Sequence, residues 1–193
     1  MSVDVVILGP PGAGKGTQAE FISQDASIPH IATGDMIRAA IADGTQLGNE
    51  VKAIYDAGDL IPDDLMIEVI RERLSQSDTA DGFVLDGFPR TEAQAEALDS
   101  MLGDLDRELS LVLDFEVSEE VAVERLLGRA REQGRSDDSP EVVRHRLEVF
   151  HQKTEPLIAY YRTRGLLVPI HADRSVGEVS AEVQQVLQTA AAE

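Results

Sequence analysis

Thirty-six acidic side chains against 17 basic ones give this 193-residue chain a formal charge of -19, which excludes a general affinity for nucleic-acid backbones or anionic membranes. Its 42% hydrophobic content supports a buried core in one domain spanning 1–193 and excludes disorder as the default. Cysteine is absent, so disulfides and thiolate metal sites are excluded, and a reducing compartment is expected.

The first strand is expected at Val3–Leu8, an apolar run that starts within two residues of Met1 and leaves no room for a basic and then apolar leader. No apolar run approaches the ~20 residues of a membrane span, and a soluble, cytoplasmic protein is expected. Gly9–Thr17 follows, reading Gly-Pro-Pro-Gly-Ala-Gly-Lys-Gly-Thr, and Gln18–Ser23 opens a helix. This strand-to-helix turn matches G-x-x-x-x-G-K at Gly9, Gly14 and Lys15. Glycines let backbone N–H groups turn in around an anion, the new helix aims its positive end at the same point, and Lys15 supplies a mobile cation. Gly16 stands where most such loops carry a Ser or Thr that touches magnesium, and Thr17 comes one residue late.

Ser27–Ile31 predicts a short strand, and Thr33 is placed to cap a helix continuing through Met36–Ile41. Gly44 stops that helix. Leu47–Ala57 resumes helical spacing and ends at Gly58, and Pro62-Asp63-Asp64 starts a helix running to Leu74. Phe83-Val84-Leu85 is apolar on successive residues, as in a strand covered on both faces, and ends in Asp86-Gly87-Phe88-Pro89-Arg90. Thr91 caps the next helix, Leu109–Phe115 is a strand, and Ser118 with Glu119 and Glu120 opens a helix. Gly128–Pro140 is a polar break, Val142–Tyr161 a long helix, Leu166–Ile170 the last strand and Val176–Leu187 the closing helix.

Strands alternating with helices predict an α/β fold, a five-stranded parallel sheet with helices on both faces and right-handed crossovers. Ligands in such sheets sit beyond the carboxyl ends of the strands, so Gly9–Thr17, Thr33–Asp35 and Asp86–Arg90 should converge on one crevice. Six arginines, 125, 129, 131, 135, 144 and 146, crowd one segment of this acidic chain. Arg125 and Arg129 are an i,i+4 pair of like charge, which repels unless an anion lies between them. Arg38 and Arg90, each just past a strand end, add planar forks suited to phosphate oxygens. Asp86 is positioned to hold magnesium through water, whereas Asp114 reads as structural. Asp137 and Asp138 fit two readings equally, an N-terminal cap for the following helix or partners of the arginines. The histidines at 30, 145, 151 and 171 share no spacing and take no role.

Gly9–Gln18, Thr33–Arg38, Asp86–Thr91 with Gln94, and Arg135–Asp138 with Arg146 together resemble adenylate kinase, in the right order over nearly the whole chain. The resemblance implies a P-loop NTPase fold that catalyses ATP + AMP ⇌ 2 ADP with magnesium, in the cytoplasm and as a monomer. It also implies an AMP-binding helical insert at 33–61 and a short lid at 128–138, with no lid zinc. In that family a Gly at the place of Gly16 followed by Thr is usual. By the same resemblance Gly12, Ala13, Gly14, Lys15, Gly16, Thr17, Arg125, Arg129 and Arg174 face ATP. Thr33, Arg38, Ile61, Gly87, Arg90, Gln94, Arg135 and Arg146 face AMP. Lys15, Arg90, Arg125, Arg135 and Arg146 carry catalysis, and Asp86 organises magnesium-bound water.

The chemistry agrees with that implication. The attacking phosphate oxygen of AMP is already largely anionic at pH 7, its second pKa being about 6, so no general base is needed and an arginine-rich site without histidine suffices. The nearest alternative is a kinase for UMP or CMP, separated only by the residues that read the base. A switch module that binds nucleotide without phosphoryl transfer would not need arginines on both the donor and the acceptor side.

Overall fold

The computed structural model describes residues 3–133, 137 and 139–190. Five parallel strands, β1 (Val3–Leu8), β2 (His30–Ala32), β3 (Gly82–Asp86), β4 (Leu111–Glu116) and β5 (Leu167–His171), form one sheet in the order β2-β3-β1-β4-β5. β1 lies at the centre, with Ile7 beside Asp86 of β3 and beside Leu113 of β4. Because β1 is covered on both faces, its side chains split by parity. Val6 and Leu8 enter one core with Ile31, Phe83 and Leu85; Val5 and Ile7 enter the other with Val84, Leu113 and Phe115.

Helix α1 (Lys15–Ala26) packs on the second face with α9 (Val176–Ala190), contributing Ile22 beside Val179 and Val183. The first face receives α2 (Thr33–Ala42), α3 (Gln46–Ala57), α4 (Asp63–Leu74), α5 (Glu92–Gly103) and α8 (Pro156–Arg162). A small cluster of Leu126, Val143 and Leu147 joins α6 (Glu119–Gln133) to α7 (Pro140–Val149). The expected caps at Thr91, which accepts from Gln94 N–H, and at Gly58, in the left-handed region at φ 82°, are present.

Four local expectations give way to geometry. Thr33 is the first residue of α2 rather than its cap, and its hydroxyl donates instead to the Asp86 carbonyl at 3.3 Å. Pro62 immediately precedes α4. The helix α6 runs on through Gly128 as far as Gln133, so the polar break is shorter than its composition suggests. The long helix expected over Val142–Tyr161 is divided by a wider, π-helical turn at Phe150–Thr154, in which Glu155 N–H reaches back to Phe150 O at 2.9 Å. Pro156 has no N–H to continue an i→i−4 ladder, and the wide turn absorbs that loss before α8.

At the end of the sheet away from the strands' carboxyl ends, Asp4 is fully buried and takes both sides of the Arg107 guanidinium, Nε at 2.9 Å from Oδ2 and Nη2 on Oδ1. Arg107 Nη1 also donates to Thr79 O at 2.8 Å, so the pair binds the segments that lead into β1, β3 and β4.

Candidate active site

The loop between β1 and α1 lies flat against the start of α6 and the end of β4. Gly9 has φ 138°, and a Cβ there would meet Phe115 O at 2.8 Å; at Gly12, φ is 84° and a Cβ would meet Ala122 O at 2.4 Å. Both positions demand glycine on two counts, conformation and space. Ala13 is buried beneath the loop, while Thr17 sits exposed in the crevice the loop borders. That crevice, of about 940 Å³, is also lined by Asp86, Arg38, Arg90, Arg125, Arg129, Arg146 and Arg174. The three stretches that follow strands therefore meet at one place, beyond the carboxyl ends of β1, β2 and β3.

Lys15 folds its ammonium onto the loop itself, donating to Gly9 O and Pro10 O, each at 2.8 Å. Burial lowers its pKa to about 8; Asp86 opposes the shift, and Arg90, Arg146 and Arg129 reinforce it. Burial acts to raise the Asp86 carboxyl, but His30, Lys15 and Arg90 outweigh it and hold the group below the usual carboxylate range. His30 Nε2 lies 3.8 Å from Asp86 Oδ2, beyond direct hydrogen bonding, so its influence is electrostatic. A Cβ on Gly16 would sit 3.4 Å from that same Oδ2, which places the carboxylate beside the first turn of α1.

Arg146 Nη1, on α7, donates to Asp137 O at 3.0 Å and to Asp137 Oδ2 at 2.9 Å. Ser139, not Asp137, caps α7 by accepting from Val142 N–H, which resolves the even choice left open for Asp137. Asp138 and Arg135 lie outside the described residues. Arg125 Nη2 donates to Ala172 O at 3.0 Å, in the segment after β5. Arg174 Nε donates to His171 O at 2.9 Å and its guanidinium pairs with Glu182.

A smaller recess opens off the crevice, lined by Thr33, Gly34, Tyr55, Ile61, Gly87, Arg90 and Gln94 among others. Arg90 Nε donates to Gly87 O at 2.8 Å, and burial with the neighbouring Arg146 charge depresses its pKa. Gln94 is 2% exposed; its Oε1 accepts from Arg90 N–H at 2.8 Å and its Nε2 donates to Asp63 Oδ1 at 2.8 Å. Each end of the amide keeps one further bonding position, so it is fixed in orientation and still able to read a ligand.

Sequence reasoning passed over His30, Tyr55, Asp63 and Gln18. His30 was legible only through strand order, since pairing of Ala32 with Asp86 in the sheet brings it to the carboxylate. Gln18 joins α1 to the start of α9 through Nε2 on Val176 O at 3.0 Å, and its buried Oε1 lacks a partner among the described residues.

Among the described residues no group of three or more His, Cys, Asp or Glu could hold a metal by itself. Among the same residues no helix is long and apolar enough to cross a membrane. The family model described as adenylate kinase matches residues 7–166. An adenylate kinase of Stenotrophomonas maltophilia (strain R551-3) is 46% identical over 179 residues, covering 93% of this chain and 96% of that protein. One from Thermobifida fusca (strain YX) is 48% identical over 187 residues, 97% and 99% of the two chains. One from Leptospira biflexa (strain Patoc 1 / Ames) is 49% identical over 176 residues, 91% and 95%.

Proposed function

The chain belongs to the adenylate kinase family and is a phosphotransferase, and from that premise we propose that the described crevice moves the terminal phosphoryl group of ATP to AMP, reversibly, giving two ADP. One observation carries the assignment of residues. Lys15, Arg90, Arg129 and Arg146 lie close enough together around Asp86 to perturb the Lys15 ammonium, an excess of positive charge inside a chain of net charge -19. Such a cluster favours a polyanion, and two nucleotides placed phosphate to phosphate supply one.

Lys15 and the amides of Gly12–Thr17 take the donor phosphates, with Arg125, Arg129 and Arg174 beside them. The two hydrogen bonds Lys15 makes to its own loop are exchanged for phosphate oxygens when ATP arrives. Arg38 and Arg90 hold the acceptor phosphate, while Thr33, Ile61, Gly87 and Gln94 enclose the acceptor base. Arg146, on the helix after the lid, faces both. Since the acceptor oxygen is already anionic, these groups act by alignment and charge neutralisation. Closure of the lid segment excludes water and so suppresses hydrolysis of ATP.

Asp86 fits magnesium in the manner of a one-carboxylate site completed by water and substrate phosphates, being held ionised and set beside the first turn of α1. When bound, the ion neutralises phosphate charge. We place the reaction in the cytoplasm and on a monomer. The test is a coupled assay of ADP formation from ATP with AMP, UMP or CMP in turn. The reading requires AMP to be preferred by at least about tenfold in kcat/KM, and equal use of a pyrimidine acceptor overturns it.

A further inference from the structure

The guanidinium assigned to the acceptor phosphate is already held on two sides. Arg38 Nη2 pairs with Asp35 three residues earlier on α2, and Arg38 Nη1 donates to the Tyr55 hydroxyl on α3 at 2.8 Å. These two partners differ in kind. Asp35 is an anion, its side chain 65% exposed, and competes directly with a phosphate for the fork. Tyr55 is only partly exposed and offers a neutral lone pair, which does not compete. Its hydroxyl stays protonated throughout the working pH range, because burial raises its pKa above the ordinary value of 10.

The platform for this contact is rigid. Gly48 of α3 packs so tightly on α2 that a Cβ there would stand 2.0 Å from Ala40 O, which fixes the two helices against each other. Tyr55 also lines the recess shared by Thr33, Ile61 and Gln94, so it stands between the pocket for the acceptor base and the arginine for the acceptor phosphate.

We propose that Tyr55 is the positioning residue of the acceptor site, holding Nη1 of Arg38 so that Nε and Nη2 turn to the monophosphate when Asp35 is displaced. This rests on the assignment of Arg38 to the AMP phosphate. Tyr55→Phe keeps the ring and removes only the acceptor. AMP affinity, measured by titration calorimetry without turnover, falls about tenfold, matching one hydrogen bond to a charged group. KM for AMP rises by the same factor, while kcat and KM for ATP move by no more than about twofold. In an Arg38→Ala background, Tyr55→Phe has no further effect, because nothing is left to position.

Unchanged AMP affinity in Tyr55→Phe overturns the proposal. An undiminished loss in the Arg38→Ala background also overturns it, because Tyr55 then acts as a wall of the base pocket. If Arg38→Ala itself leaves AMP binding intact, the underlying assignment of Arg38 fails, an outcome distinct from the first two.

Discussion

Lys15→Met separates what the site costs from what it does. The ammonium is buried beside Asp86 and near Arg90, Arg146 and Arg129, and chiefly through burial its pKa falls from 10.5 to about 8. Between those values the unfolded chain binds more protons than the folded one, so stability rises with pH across that window; below about 8 the penalty is present in full. A shift of this size corresponds to about 3 kcal/mol. The side chain retains some solvent contact, and about 2 kcal/mol is the expected relief between pH 7 and pH 10. The thioether variant cannot titrate. Urea unfolding of both proteins at the two pH values should show wild type gaining on Lys15→Met by about 1 M in midpoint, for a denaturant slope of about 2 kcal/mol/M. The difference between the two proteins cancels every other titrating group. The same linkage predicts proton uptake when ATP binds near pH 8, seen calorimetrically as a dependence of the binding enthalpy on the buffer. Parallel pH profiles for wild type and variant, together with ATP binding that moves no protons, would refute the argument that Lys15 is held at electrostatic cost for a polyanion.

Gln94→Ala strips the recess of its oriented amide and unpairs Arg90 N–H, so kcat/KM for AMP should fall ten- to a hundredfold, about 1–3 kcal/mol, with KM for ATP steady; loss confined to ATP would refute it. Arg146→Ala should lower kcat more than it raises either KM, since its charge is assigned to the transferring group, and steady-state kinetics with each substrate varied decides the point. Arg107→Ala leaves Asp4 buried without its bidentate partner and should cost about 3–5 kcal/mol by chemical denaturation, with specific activity retained at low temperature; a loss under about 1 kcal/mol would mean the pair is idle.

Features set by chain neighbours were legible in sequence: the glycine loop between Val3–Leu8 and α1, the cap at Thr91, the stop at Gly58, and the placing of Asp86 at the end of β3 with Arg90 just beyond it. Residues whose roles depend on partners far along the chain were not. Gln94 meets Asp63 across 31 positions, and Arg38 meets Tyr55 across 17, from one helix to the next. Nothing in either segment's composition announces the pairing. Thr33 shows the same limit from the other direction, because a local rule predicted a cap, whereas α2 begins at Thr33 itself and its hydroxyl donates to Asp86 O of the neighbouring strand. The spacing of Arg125 and Arg129 was legible in sequence, but the bond from Arg125 to the Ala172 carbonyl, 47 positions away, was not.

Arg146 illustrates why a cation in such a site needs support along its whole length. Its aliphatic stem lies against the end of α3, where a Cβ on Gly58 would come within 2.9 Å of Arg146 Cγ, and Val142 one turn earlier crowds the same spot at 2.8 Å. The head group is turned by Asp137, which takes Nη1 with both its carbonyl and its carboxylate. Beside it, His145 Nε2 lies 2.6 Å from Asp59 Oδ1, joining α7 to the residue after Gly58. Helix α3 and the helix bearing Arg146 thus approach closely at Gly58, and His145 with Asp59 ties them together beside it. A guanidinium carries five donors, and Asp137 occupies Nη1. Stem and fork are therefore held by groups outside the crevice while the charge itself faces Lys15 and Arg90, an arrangement that keeps three mutually repelling cations in register.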